Sequence, residues 1–177
     1  MTDKFSELAN LKETETKSNQ KGFSLIELLI VVAIILIIAA IAIPNLMRSK
    51  MAANESSAVG SLRTINTAMV TYSNNYPTVG FAGTLAALGG AAAACSAVTG
   101  ASSTQGCLID NTLAGGTKSG YVFAAAGAGG TPAVSYTSLA TPQVQGVTGQ
   151  RAFCSDQSGV IYWDPSGTAC TNASTPL

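Results

Sequence analysis

Few side chains in this chain of 177 residues are of the types that perform catalysis or bind metal ions. It has no histidine, the commonest general base and metal ligand. The motifs of phosphate-binding loops, dinucleotide-binding turns, zinc proteases and serine hydrolases are absent from the sequence. Asp156 and Asp164 stand beside turn-forming residues, and two carboxylates are few for a calcium site, so we predict turns there. We therefore expect no enzyme, no cofactor and no metal site.

All four cysteines lie in the second half of the chain. An even number of cysteines beyond a membrane segment is typical of export to an oxidising compartment. Four cysteines allow three pairings. We favour Cys95–Cys107 together with Cys154–Cys170, because each bond then closes a short local loop. The other two pairings, and four unpaired thiols, stay open as alternatives.

Glu27 is the only charged residue in a long apolar segment, residues 23–43. As a helix this segment would reach about 30 Å, the thickness of the hydrocarbon core of a membrane. No small-residue cleavage site follows the segment, so we expect the helix to remain in the mature protein. A carboxylate within a membrane span is costly unless it is paired or lies near the interface. Glu27 therefore needs a partner or a position close to the headgroups.

The sequence around Glu27 reads KGFSLIEL over residues 21–28. This stretch resembles the processing site of type IV prepilins and of type II secretion pseudopilins. In that family a basic residue and a glycine precede the cut, a phenylalanine follows it, and a glutamate takes the fifth mature position. Lys21, Gly22, Phe23 and Glu27 match those positions, and the resemblance extends to about Pro44.

The resemblance implies a role for each matched residue. Residues 1–22 would be a cytoplasmic leader, longer and more acidic than in the commonest subclass, which prepilin peptidase removes after Gly22. Phe23 would become the new amino terminus and be N-methylated. In a filament the Glu27 carboxylate would meet the Phe23 ammonium of a neighbouring subunit. That pair would offset the cost of burying either charge and would fix the axial register.

Pro44 is the last residue of the proposed transmembrane and assembly segment, residues 23–44, and we expect the helix to continue beyond it. It removes one backbone hydrogen bond, so we expect a kink or a loosened turn there. Apolar residues then recur at spacings of three and four, which predicts an amphipathic helix over residues 45–76 that ends at Tyr76-Pro77. Its apolar stripe consists of Val59, Leu62, Ile65, Met69, Tyr72 and Tyr76.

Residues 77–177 are expected to form a head domain held by the two disulfides. Residues 77–118 predict a connecting loop with one helical turn near Leu85–Leu88. Four strands are predicted at residues 121–123, 133–137, 151–155 and 160–163, the last two joined by a turn at 156–159. The predicted fold class is α+β, with one long amino-terminal helix on a small antiparallel sheet. This is the pilin-like arrangement that the resemblance also implies.

The resemblance implies a structural function. We expect a type IV pilus subunit that starts as a single-pass protein in the bilayer of the inner membrane and polymerises with other pilin subunits into an extracellular filament. Its other partners would be prepilin peptidase and an inner-membrane assembly platform with a separate ATPase. The alternative is a pseudopilin of a type II secretion system, which would form a periplasmic pseudopilus.

A minor pilin for DNA uptake is a further alternative, and the charge balance argues against it. Residues 23–177 carry five basic and five acidic side chains. A nucleic-acid surface needs a basic patch. We therefore expect no nucleic-acid partner.

Overall fold

The computed structural model describes residues 22–90, 95 and 100–177. The predicted leader therefore falls almost wholly outside the described residues, and so does Lys21. The chain divides into two compact units, Met1–Ile41 and Ala42–Leu177.

The longest element is the helix α1, Leu25–Asn75, which contains Pro44. Helical structure is continuous on both sides of the proline, in the segments predicted as residues 23–44 and 45–76. The helix ends one residue before Tyr76-Pro77, as the sequence predicts, because a residue that precedes proline is biased away from helical backbone angles.

A six-stranded sheet forms the other layer of the second unit. Its strands follow one another in space in the order of the chain, and each pairs antiparallel with the next. The fold class predicted from the sequence, α+β with a pilin-like arrangement, is thus confirmed. The strands are β1 (Thr117–Lys118), β2 (Tyr121–Ala128), β3 (Ser135–Pro142), β4 (Ala152–Asp156), β5 (Ile161–Asp164) and β6 (Thr175–Pro176).

The strand predictions were accurate for β4 and β5 and poor for β3. The sequence indicated a strand at residues 133–137, whereas β3 begins at Ser135 and continues to Pro142. β2 likewise continues through small residues to Ala128. Such residues have low strand propensity, and the eight-residue register between β2 and β3 is what holds them extended. The two-residue edge strands β1 and β6 were not predicted.

Two short helices contact each other and the strands β1 and β2. The helix α2, Leu85–Leu88, is the predicted turn, and the Thr84 hydroxyl caps it by accepting a hydrogen bond from the backbone N–H of Ala87 at 3.3 Å. The helix α3, Asn111–Ala114, was not predicted. Asp110 caps α3 through a 2.8 Å hydrogen bond from the backbone N–H of Leu113, an arrangement typical of an aspartate before a helix.

The predicted apolar stripe of α1 packs against the sheet. Its four central members are buried, and Val59 and Tyr76 are half-buried against the same core. On β2, buried and exposed side chains alternate, so that Tyr121, Phe123 and Ala125 face the helix. The sheet also contributes Tyr136 and Phe153 to this core. The core of the second unit therefore lies between one face of α1 and one face of the sheet.

The four cysteines form two disulfides, Cys95–Cys107 and Cys154–Cys170, which are the pairs that the sequence analysis favoured. The Cα atoms lie 5.7 Å and 5.6 Å apart. The second bond ties β4 to the segment that precedes β6. In the chain-entropy model, a loop of this size stabilises the folded state by about 3 kcal/mol.

A partly buried ion pair fastens α1 to the sheet. Glu55 accepts hydrogen bonds from the backbone N–H groups of Gln150 and Arg151 at 2.9 Å and 3.2 Å. The Arg151 guanidinium donates to the same carboxylate through Nε at 2.9 Å and Nη2 at 2.7 Å. It also lies over the rings of Phe153 and Trp163, 5.4 Å and 5.3 Å from their centroids. Glu55 is 8% exposed, so its full set of partners compensates for the burial of its charge.

A second polar contact lies farther along α1. The Asn66 side chain, which the sequence pattern places among the polar positions of the helix, is buried. Its Nδ2 donates to the Ser155 hydroxyl at 2.8 Å, and that hydroxyl donates to the backbone oxygen of Val160 at 2.8 Å. A buried polar group is satisfied only at one helix position, so this contact fixes the register of α1 on the sheet.

We predict that Glu55→Ala lowers the free energy of unfolding by about 2 kcal/mol, because it leaves two backbone N–H groups and a partly buried guanidinium without their acceptor. Lys118→Ala is the matched control. Its ion pair with Asp110 is exposed, and its loss should cost less than about 1 kcal/mol. The measurement is denaturant unfolding of the chain in detergent, followed by the fluorescence of Trp163, the only tryptophan. Equal losses in both variants would contradict the assignment.

The same ion pair predicts the pH dependence of stability. Burial alone would raise the pKa of Glu55, but hydrogen bonds from Gln150 and Arg151 outweigh it and lower the pKa below the ordinary value of 4.5. A lowered pKa in the folded state stabilises the fold at neutral pH, and this contribution is lost as the pH falls below 4.5. The difference in stability between the wild type and Glu55→Gln should therefore shrink in acid.

Candidate assembly surface

Residues 25–43 of α1 form an apolar surface that is exposed among the residues that the structure describes. The large apolar side chains here are exposed, from 44% for Val32 to 80% for Leu25, and Phe23 just before the helix is 87% exposed. The most apolar window of α1 has a mean hydropathy of 3.3, and none of it is buried. By length and composition this helix can cross a membrane. Such a surface has to be covered by lipid or by other proteins.

Glu27 has a partner within its own chain. Its Oε2 accepts a 2.9 Å hydrogen bond from the backbone N–H of Ser24, the residue before the helix begins at Leu25. A glutamate at the third helical position that bonds back to the capping residue is half of a capping box. The sequence analysis missed this contact, although the pattern Ser-x-x-Glu before an apolar run is its signal.

The residues singled out for processing precede α1. A Cβ atom added at Gly22 would meet no atom within 4 Å, so this structure has room for a larger residue there. Phe23 is exposed, and Lys21 lies outside the described residues. Pro44 lies inside α1, in the second unit. The structure therefore brings Glu27 to Ser24, and Phe23 is exposed among the described residues.

Asp156 and Asp164 both form turns. Asp156 Oδ1 accepts a 2.9 Å hydrogen bond from the backbone N–H of Ser158, and Asp164 Oδ1 accepts one of 2.8 Å from Ser166. These are Asx turns, in which a carboxylate substitutes for a backbone acceptor. Across residues 22–90, 95 and 100–177, no three histidine, cysteine or acidic side chains group as metal ligands would.

Comparison with known proteins bears on the same segment. A family model for the prokaryotic N-terminal methylation motif matches residues 17–43. The chain is 60% identical over 38 residues to the type IV wide pilus major component PilA4 of Thermus thermophilus. It is 37% identical over 65 residues to the type II secretion system core protein G of Aeromonas hydrophila. The amino-terminal region of this chain is therefore similar to those of a type IV pilin and of a type II secretion pseudopilin.

The similarity of this pilin-like protein to those two relatives is confined to part of each chain. It covers 22% and 35% of this chain, and 29% and 46% of the relatives. The chain thus spans less than half the length of the curated relatives that it matches. No solved structure matches it. The head domain of this pilin-like protein is therefore described here from its own structure alone.

We predict that Ile34→Lys weakens membrane retention of this pilin-like protein while the head stays folded. Ile34 lies near the middle of the apolar segment and is 53% exposed, so its replacement disturbs no core. A lysine at the centre of a membrane helix costs about 3 kcal/mol on insertion scales. Ile34→Leu is the control. The measurement is the fraction of protein that remains with membranes after carbonate extraction, and equal retention of both variants would contradict the prediction.

Proposed function

We propose that this chain is a structural subunit of a type IV pilus, made as a precursor and polymerised through its amino-terminal helix. The observation that supports the proposal most strongly is the exposed apolar surface of residues 25–43, which lies within the segment that the methylation-motif model matches. In the bilayer, lipid covers that surface. In a filament, the same surface of other copies covers it.

The physics of this exchange explains why a separate motor is part of the proposal. Lipid tails are as apolar as the side chains of the helix, so moving it from the bilayer into a bundle of helices gains little from the hydrophobic effect. Van der Waals packing and satisfied polar groups have to supply the preference. Extraction of the subunit then requires work, which we assign to an inner-membrane assembly platform with its own ATPase.

Processing follows from the residues before the helix. Prepilin peptidase would recognise Lys21 and Gly22 on the cytoplasmic face, cut after Gly22 and leave Phe23 as a methylated amino terminus. A Cβ atom at Gly22 would meet no described atom within 4 Å, so packing does not require a glycine at this position. This supports the proposal that the peptidase is what requires it.

Glu27 would pair with the Phe23 ammonium of a neighbouring subunit in the filament. The contact with Ser24 is compatible with this role, since it engages Oε2 through a backbone N–H and pairs the carboxylate with no cation. Two carboxylate oxygens offer about four acceptor positions. Pairing with a neighbour would offset the burial cost of both charges and set the axial register of the copies.

A pseudopilin of a type II secretion system is the second candidate, and the similarity to core protein G supports it. The two candidates share the precursor, the helix and the assembly through it. They differ in the length and place of the product: a pilus leaves the cell, whereas a pseudopilus stays in the periplasm. The two disulfides and the long loop of the head favour the pilus.

Electron microscopy of sheared surface filaments, with mass spectrometry of the subunit's amino terminus, tests the proposal. We expect abundant filaments at native expression, with subunits that begin at methylated Phe23. Short or absent surface fibres with the same amino terminus would favour the pseudopilin. Gly22→Ala provides the control for processing: the precursor should retain residues 1–22 with an unchanged head. A functional protein that retains its leader would contradict both candidates.

The pairing role of Glu27 is tested by two substitutions with different losses. Gln keeps an acceptor for Ser24 N–H and removes only the charge, whereas Leu removes both. If the charge is what matters, Glu27→Gln and Glu27→Leu are both inserted and cleaved, and both assemble poorly. The measurement is the filament yield relative to the cleaved subunit in the membrane. Wild-type yield from Glu27→Gln would assign the residue to helix capping alone.

A further inference from the structure

Only some of the charged side chains of the second unit form ion pairs with each other. Within residues 42–177, two pairs form inside the chain, Glu55 with Arg151 and Asp110 with Lys118. Three cations and two carboxylates have no ion-pair partner among the residues that the structure describes. The cations Arg48, Lys50 and Arg63 all lie on α1, whereas the carboxylates Asp156 and Asp164 lie at the two ends of the β4–β5 hairpin.

The contacts between α1 and β4 place some of these charges at opposite ends of the unit. Glu55 bonds to residues at the start of β4, and Asn66 bonds to Ser155 near its end, so the strand runs in the direction of the helix. Asp156 follows Ser155 and therefore lies level with Asn66. Lys50 precedes Asn66 by 16 helical residues, which corresponds to roughly 24 Å along the axis.

We call the surface around Arg48 and Lys50 the near end, and the turn that begins at Asp156 the far end. Both cations are exposed. At the far end, one Asp156 oxygen accepts from Ser158 and the other lies 3.4 Å from Nδ2 of Asn172. The hydrogen bond from the Ser158 side chain lowers the pKa of Asp156, so the far end is negative at neutral pH. The hydrogen-bond donors to this carboxylate are neutral. A cation from another copy would add a charge-assisted hydrogen bond to it.

We propose that the near end of one copy docks against the far end of the next copy along the filament, with Lys50 and Arg48 beside Asp156. The proposal rests on the proposed polymerisation of the chain. Copies that point the same way and are displaced along the helix axis bring unlike ends together, in a heterologous contact that repeats without closing. Copies that point in opposite directions bring like charges together, which is unfavourable. The contact therefore selects a polar filament.

Asp164 is the other carboxylate without a cation, and it does not fit this contact. It pairs with Ala152 across the hairpin, so it lies at the level of the first residues of β4 and away from the far end. Arg63 likewise lies between the two ends. Asp164 and Arg63 therefore take no part in the proposed contact between the near end and the far end.

Zero-length crosslinking tests the contact in the wild-type protein. A carbodiimide joins an ammonium to a touching carboxylate with loss of water, and residues 23–177 contain only two lysines, Lys50 and Lys118. The ion pair of Lys118 with Asp110 at 2.9 Å is an internal control that should crosslink in filaments and in detergent-solubilised subunits alike. We expect a Lys50–Asp156 crosslink in filaments only. Filaments that give the control crosslink, but join Lys50 to Asp164 or to no carboxylate, would overturn the proposal.

Charge removal provides the second measurement. Asp156→Asn keeps an acceptor for the turn and loses the charge, and Arg48→Gln with Lys50→Gln removes the opposing cations. Each should reduce the filament yield about two- to fivefold at low salt, the size expected for an exposed ion pair. The difference should vanish in 1 M salt, where the Debye length is about 3 Å. Lys118→Gln should assemble like the wild type.

The outcomes separate this contact from the proposed function. If the wild type forms filaments and the substituted variants form them at the same yield at low salt, the contact is refuted and the proposed polymerisation still stands. A wild-type chain that forms no filament or pseudopilus under any condition would refute both.

Discussion

The structure depends on one imbalance: residues 25–43 expose an apolar surface that no other part of the described chain covers. The head uses its helix stripe, from Leu62 to Tyr72, to build a core with the sheet. In residues 25–43 of the same helix, the large apolar side chains are exposed. A single helix thus carries a segment that folds the head and a segment that requires another environment. Membrane insertion and polymerisation are the two ways to provide it.

Polar contacts of the head hold α1 in place on the sheet. Glu55 and Asn66 tie α1 to β4 at two heights, and the disulfide Cys154–Cys170 ties β4 to the segment before β6. Because buried polar groups tolerate no shift in register, the helix cannot slide on the sheet.

Much of this arrangement was predictable, and the misses have physical causes. The apolar segment, the end of α1 and the hairpin between β4 and β5 follow from hydropathy, from Pro77 and from a turn sequence, all of which are local. β3 was misplaced because its extended structure comes from pairing with β2 rather than from its own side chains. The contact of Glu55 with Arg151 joins residues 96 positions apart, and no sequence spacing reveals such a pair. At the candidate site, the Ser24–Glu27 contact was predictable from the capping pattern Ser-x-x-Glu before an apolar run.

The central claim is that the surface of residues 25–43 exchanges lipid for copies of itself. A photoreactive lipid-soluble carbene precursor tests this most directly, because it labels side chains that face hydrocarbon. The account predicts heavy labelling of residues 25–43 in the membrane-bound subunit and strong protection of the same residues in isolated filaments, with the head labelled weakly in both. Equal labelling of the segment in the two states would contradict it.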